Sequence, residues 1–359
     1  MNGPHPGVAV IGVGGAGINA VTRLGDVGLP RVRFIAVDTS AQTLARAGGA
    51  DRVLLAAPTG GHGTGGDAAL GAAAAERAVD RLDATLGGID LAFVVAGLAG
   101  GTGGGAAPVV ARAACAAGAM TVGFGITPFA FEARRRVLAA ERALAPFADA
   151  CDTTVLLDNQ RAQALAGGRV TLDVALRVAD DVLRQAVQGL SAMIGGQGWI
   201  HVDWPLVRAM LAQAGDGCLA LGLGRGHTPA QAAMRAALAS PLADMRALAH
   251  ARAVLVQVAG GPDLALHDTA EALDTLRRRL GPDCELVVGA GHDPTLAGSA
   301  QVVILGTGLA DSRRRPVAWP GRRERGSGDA DHRSRRVAIA PLAASWAGGG
   351  AAMPLREVV

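Results

Sequence analysis

An open α/β sheet of mostly parallel strands is the fold the sequence predicts, and three observations predict it. Short Val/Ile-rich runs alternate with longer Ala-, Leu- and Arg-rich segments through most of the 359 residues. The runs are continuously apolar, which suits strands covered on both faces. Each is followed by Gly, Asp or Thr, as expected where a strand turns into a helix.

The elements follow in order. Val8-Ala9-Val10-Ile11 gives a first strand that runs straight into glycines. Arg33–Val37, Arg52–Leu55, Leu91–Val95, Met120–Phe124 and Thr154–Leu157 give five more, with helices at Ala68–Leu86 and Pro108–Ala117. From Leu172 to Met193 an amphipathic stretch places Leu172, Leu176, Val182, Leu183, Ala186, Val187 and Leu190 roughly on one face. A helix of about 20 residues spans roughly 30 Å, enough to pass from one domain to another. Helices at Leu206–Ala214 and Pro229–Ala239 and strands at Ala253–Val258, Glu285–Val288 and Val302–Leu305 then suggest a second, smaller α/β domain. The expected division is a first domain at 1–171, a central helix at 172–195, a second domain at 196–310 and a tail at 311–359.

Composition excludes several chemistries. All 34 basic residues other than His are Arg. Without Lys there is no Schiff base, no P-loop lysine and no protein-kinase lysine. Aromatics are 3% and Tyr is absent, so the core must be aliphatic. The four cysteines form no Cys-x-x-Cys and no His pair has ligand spacing, which argues against zinc or a disulfide framework. No apolar run of membrane-spanning length occurs, and the chain reads as a soluble protein of a reducing compartment. The tail holds nine Arg against four acids between Asp311 and Arg336, a net +5 in a chain of +3. It reads as disordered, either a solvated linker or a contact for anionic lipid, nucleic acid or an acidic protein.

Three glycine loops carry the chemistry. Gly12-Val13-Gly14-Gly15-Ala16-Gly17 follows a strand, opens a helix and has Asp38 about 20 residues on, which fits a Rossmann-like dinucleotide fingerprint. Taken alone, it leaves a nicotinamide or flavin enzyme open. Ala99-Gly100-Gly101-Thr102-Gly103-Gly104-Gly105 follows another strand and precedes a helix, an anion nest suited to β- and γ-phosphates without any Lys. Gly60-Gly61-His62-Gly63-Thr64-Gly65-Gly66-Asp67 could close over the same phosphates.

With these loops in place, the chain resembles the FtsZ/tubulin family. Ile11–Val21, Ala99–Ala111, Pro128–Arg136 and Ala186-Val187-Gln188-Gly189 resemble family segments in the same order, and the likeness runs from about Val8 to Gly308. It implies a GTPase domain joined through the central helix to a smaller α/β domain, and GTP or GDP as ligand, with Mg2+ accompanying the nucleotide. Carried over, Gly14, Gly15, Ala16, Gly17 and Asn19 of the first loop would bind the nucleotide. So would Asp67 of the third, Gly100, Gly101, Thr102, Gly103 and Gly104 of the second, and Glu132, Arg136 and Asn159. The i, i+4 spacing of Glu132 and Arg136 would put both on one helical face.

Departures from the family sharpen the expectation. Where the long helix usually offers an aromatic for the base and an Asn or Asp for its edge, this chain has Leu176 and Asp180. Losing an aromatic platform weakens base stacking by around 1–2 kcal/mol. A carboxylate still accepts from both N1–H and the exocyclic amine of guanine, whereas adenine presents an acceptor at N1. Asp181 stands beside it, and the alternative reading is that one of the pair is simply a solvated helix acid. Asp67-Ala68-Ala69 stands where the family has Asn-Pro-Glu.

The family's catalytic loop, which enters a neighbour's pocket and runs Asn-x-Asp-Phe-x-Asp, is here His201-Val202-Asp203-Trp204-Pro205-Leu206. Asp203 keeps the first carboxylate and Leu206 replaces the second. Losing such a residue typically costs 10²–10⁴-fold in rate. His201 is either a substitute base or packs at the domain junction.

The resemblance thus implies a cytoplasmic, GTP-binding cytoskeletal protein of bacterial cell division that polymerises head-to-tail, alone or with another FtsZ, and hydrolyses slowly. Its filaments would lie at mid-cell or along a membrane. The family's membrane-recruiting tail peptide is not recognisable at Ala352–Arg356, and the Arg-rich tail could replace it. A fully active division GTPase, an NAD(P)-binding Rossmann oxidoreductase and a nucleotide-free structural relative are the alternatives.

Overall fold

The computed structural model describes residues 5–29, 31–129, 131–161, 171–195, 198–213, 215–242 and 244–309. The tail at 311–359 lies outside these residues.

Each apolar run of the sequence becomes a strand. β1 (Val8–Val13), β2 (Val32–Asp38), β3 (Asp51–Leu54), β4 (Leu91–Gly97), β5 (Met120–Thr127) and β6 (Thr153–Asp158) pair in parallel in the order β3-β2-β1-β4-β5-β6. The crossovers are helical. α1 (Gly14–Val27) and α2 (Ala41–Ala45) flank β2, and α3 (Ala68–Glu76) and α4 (Val79–Leu86) precede β4. α5 (Gly101–Ala116) and α6 (Arg134–Asp149) flank β5.

The single helix expected over Ala68–Leu86 is two. Ala78 leaves helical geometry at φ −107°, ψ 13°, and this re-aims Leu82 and Leu86 into the core. The helix expected from Pro108 begins seven residues earlier, because the glycines of the second loop themselves form its first turns.

α7 (Leu172–Ile194) is the long central helix. Its Val182, Leu183, Ala186, Val187 and Leu190 join one apolar body with Val10, Phe93 and Phe124 on one side and Leu219, Leu255 and Leu305 on the other. Each such side chain contributes about 1.5–3 kcal/mol on full burial, so one helix face ties the two halves together. Leu172 differs from its expected place: it is exposed, and Leu176 is half-buried.

Beyond α7 come α8 (Trp204–Leu211), β7 (Gly215–Arg225), α9 (Pro229–Leu238), α10 (Met245–Leu248), β8 (Ala253–Gly260), α11 (Leu266–Arg277), β9 (Glu285–His292) and β10 (Ser299–Leu309). The apolar pattern does not mark β7, since glycines interrupt it. They are there for packing: a Cβ on Gly222 or Gly224 would lie within 2.1 Å of α9 carbonyl oxygens, so only glycine lets α9 sit this close. Antiparallel β7-β10-β8, with β9 parallel to β8, extends the sheet to ten strands through a short β6–β7 pairing.

Candidate functional site

The C-terminal ends of β1, β4, β5 and β6 face one cleft of about 290 Å³, the usual place for a ligand in an open α/β sheet. Gly15 and Ala16 line it from the start of α1, and Gly100, Gly101, Thr102 and Gly103 from the start of α5. Thr64, Gly65 and Gly66 close one side, and Thr127, Pro128, Glu132, Arg136 and Asn159 close the other.

The two helices that open onto the cleft start without side-chain caps: Val13 precedes α1 and Gly100 precedes α5. α4 and α6 start uncapped as well, but α2 and α3 do not. Ser40 Oγ accepts from Thr43 N–H ahead of α2, and Asp67 accepts from Ala69 and Leu70 N–H at the start of α3. Four N–H groups at a helix start lack intrahelical partners, so α1 and α5 offer theirs, with the positive ends of their dipoles, to an anion. A Cβ on Gly15 would meet no atom within 4 Å, so this glycine leaves room in the cleft itself.

The loops are braced from behind. Gly14 has φ +72°, a left-handed conformation natural to glycine, and a Cβ there would lie 2.8 Å from Gly103 N. Thr39 Oγ1 and Thr102 Oγ1 share a hydrogen bond of 2.7 Å, both buried. Gly14, Gly17 and Gly104 are thus packing positions behind the lining, and Gly104 and Asp67 face a second cleft between α3, α5 and α6.

Asp38 is not among the residues that line the cleft. Its Oδ1 accepts from Thr39 N–H at 2.7 Å and Ser40 N–H at 3.1 Å, and burial raises its pKa above the usual carboxylate value. The fingerprint reading needed this carboxylate on the ligand, and the turn after β2 uses it instead.

Glu132 and Arg136 form an ion pair at the cleft's rim, but not as neighbours on a helix. Glu132 lies two residues ahead of α6, where its Oε1 accepts from Phe129 N–H at 2.9 Å. Asn159 is buried beside them.

Asn19, Leu176 and Asp180 are not in the cleft lining. Asn19 is exposed on α1, one turn beyond Gly15. Asp180 pairs with Arg23 of α1. Its neighbour Asp181 is no merely solvated acid, because it accepts from Arg184 at 2.6 Å and Gln185 at 3.1 Å.

The segment His201–Leu206 lies at the other end of α7, about 34 Å of helix from its start. His201 is exposed and does not pack at a domain junction. Asp203 is the N-cap of α8, its backbone carbonyl accepting from Leu206 N–H at 3.0 Å, while its carboxylate makes no capping bond. Leu206 is 40% exposed, and Trp199 and Ile200 earlier in the same segment are exposed as well.

Burial pushes Cys218 up to about 11 and raises Cys115, Cys151 and Cys284 as well, which keeps these thiols protonated at neutral pH. Among the described residues no group of three or more His, Cys, Asp or Glu gathers at metal-holding distance, and no helix is long and apolar enough to cross a membrane.

Comparison with known proteins matches residues 7–167 to the GTPase domain of the Tubulin/FtsZ family and residues 215–310 to the C-terminal domain of the FtsZ family. The chain is 37% identical over 310 residues to cell division protein FtsZ 2 of Rhizobium meliloti (strain 1021), covering 86% of this chain and 90% of that protein. An FtsZ dimer from M. jannaschii superposes with a TM-score of 0.80 at 33% identity, covering 85% and 89% of the two chains. The CetZ2 protofilament from Haloferax volcanii, bound to GTPγS, gives 0.72 at 25% identity, covering 84% and 93%.

Proposed function

From the premise that this chain belongs to the Tubulin/FtsZ family of GTPases, we propose that it binds GTP or GDP in the glycine-lined cleft and assembles head-to-tail into protofilaments, for or alongside bacterial cell division. The observation that carries the nucleotide assignment is the pair of uncapped helix starts, α1 and α5, converging on one cleft. They fit a polyphosphate without any lysine. Arg136 and Glu132, which line the cleft, and buried Asn159 would take the sugar side of the nucleotide. A Mg2+ ion, when present, would be held through the phosphate oxygens and would help neutralise them.

Assembly follows from the two ends. One end offers a phosphate cleft and the other an exposed tip with Asp203, Leu206 and His201. A cleft on one copy completed by the tip of the next is a heterologous contact that repeats without closing. Asp203 would then orient and activate water at the neighbour's γ-phosphate, so hydrolysis would occur only in the assembled state. Leu206 offers no acceptor for a proton or a water hydrogen, so turnover is slow and filaments are long-lived. The protein is placed in the cytoplasm, at mid-cell or along a membrane. Another FtsZ is a candidate second subunit, and the Arg-rich tail a contact for anionic lipid, nucleic acid or an acidic protein.

The experiment is nucleotide titration with the purified chain, followed by sedimentation with GTP and with GDP. Micromolar or tighter binding of both, with pelleting that depends on GTP, is the expected result. A chain that binds neither is a nucleotide-free structural relative, and the proposal fails. NAD(H) binding in place of GTP would restore the oxidoreductase reading.

A further inference from the structure

We propose that the cleft between α3, α5 and α6 is a second binding site, for a small organic carboxylate with an apolar body.

This cleft has a volume of about 480 Å³, within the roughly 300–1,000 Å³ of small-molecule sites and larger than the phosphate cleft. Glycines of α5 build its floor. A Cβ on Gly105 would overlap Ala68 O, and one on Gly104 would lie 3.1 Å from Ala143 Cβ, so α3 and α6 both close onto α5. Ala69, Ala72 and Ala139 on the walls are too short to fill the space between the helices.

Two prolines open backbone acceptors there. Pro108 lies inside α5 and Pro146 inside α6, and a proline has no N–H for the carbonyl four residues back. Gly104 C=O and Arg142 C=O therefore lack their helical donors, and both residues line the cleft with the two prolines. A hydroxyl or N–H on a ligand would satisfy them.

The cations are Arg112 of α5 and Arg142 of α6, both exposed. No ion pair or hydrogen bond joins either guanidinium to another described residue, whereas Arg177 and Arg184 are paired within their own helix. Asp67, the acid of the lining, has its Oδ1 on Ala69 and Leu70 N–H. That cap takes donors from the start of α3, so an anion in this cleft meets guanidiniums instead of a free helix start. A carboxylate matches the planar fork of arginine. A polyphosphate suits the uncapped α1 and α5 on the far side of Gly66 and Gly100, which line both clefts.

The alternative is a solvated groove whose arginines bind nothing. Benzoate, 2-naphthoate and indole-3-acetate, each beside its neutral amide, would be titrated into the full chain without nucleotide by ligand-observed NMR, and into Arg112→Gln, Arg142→Gln and Ala139→Leu. At least one carboxylate should bind with a dissociation constant of about 1 mM or tighter and be preferred over its amide about fivefold. Either arginine variant should reduce that preference, and Ala139→Leu should expel acid and amide alike. Thermal unfolding should change little, since none of the three side chains is buried. Saturating GTP should leave the carboxylate bound.

No binding of any of the three acids at about 10 mM, equal binding of acid and amide, a preference unchanged in both arginine variants, or binding that survives Ala139→Leu would overturn the site. So would full displacement by GTP, which would put the acid in the phosphate cleft. A chain that binds a carboxylate in this arginine-dependent way but takes no GTP would overturn the nucleotide reading alone and leave this site standing.

Discussion

The cleft and the tip at the far end of α7 are built in opposite ways. The cleft is backbone: uncapped helix starts, glycines pressed against their neighbours, and two buried threonine hydroxyls joining the loops. The tip is side chains: an exposed imidazole, a carboxylate free of its capping role, and a leucine. Backbone chemistry changes only if the packing behind it changes, whereas side-chain chemistry can be lost in one substitution. The difference suggests how such a chain could keep its nucleotide and its assembly while its turnover falls.

The largest effect should come from removing what the tip retains. Asp203→Asn is expected to lower the remaining assembled-state phosphate release about 100-fold or more, while nucleotide affinity stays within about twofold. Equal losses of binding and turnover would show that the two ends are not separate devices.

At the cleft, Gly15→Val should do the reverse. A Cβ added there meets no protein atom within 4 Å, so the variant should fold normally yet bind GTP about tenfold or more weakly, the scale of one lost hydrogen bond to a charged group. Wild-type affinity in this variant would mean that the phosphates do not lie over α1.

The smallest effect concerns Asp38, which supports the cleft from behind. Burial raises its pKa in the folded state. Its charged form therefore disfavours folding at neutral pH, and this cost fades as pH falls through the raised value. Asp38→Asn can keep an oxygen for Thr39 and Ser40 N–H. It should unfold no lower than wild type at pH 7, with any advantage shrinking toward pH 4. A large loss of stability at pH 7 would show that the charge itself is needed.

Much of this architecture was legible beforehand because parallel strands are apolar on both faces, so Val8–Val13, Leu91–Gly97 and Ala253–Gly260 stand out as unbroken runs. β7 did not, since Gly222 and Gly224 answer to the helix packed on them instead of to strand periodicity. The break at Ala78 was hidden in an alanine-rich stretch where every register looks alike. In the cleft, the glycine loops announced phosphate chemistry, but not which glycines face the ligand and which press on a neighbour. Asp38 was misread because its position fits a ribose contact, while its orientation is fixed by local N–H groups. The Arg23–Asp180 pair joins helices far apart in sequence, so no local spacing could reveal it.

The most direct test of the central claim is phosphate release by the wild-type chain and Leu206→Asp, each measured below and above the concentration at which it assembles. The account predicts GTP-dependent assembly of both, slow release by wild type, and release at least tenfold faster once the carboxylate is restored. Fast, steeply concentration-dependent release by wild type, with no gain from Leu206→Asp, would contradict it and identify an ordinary, fully active division GTPase.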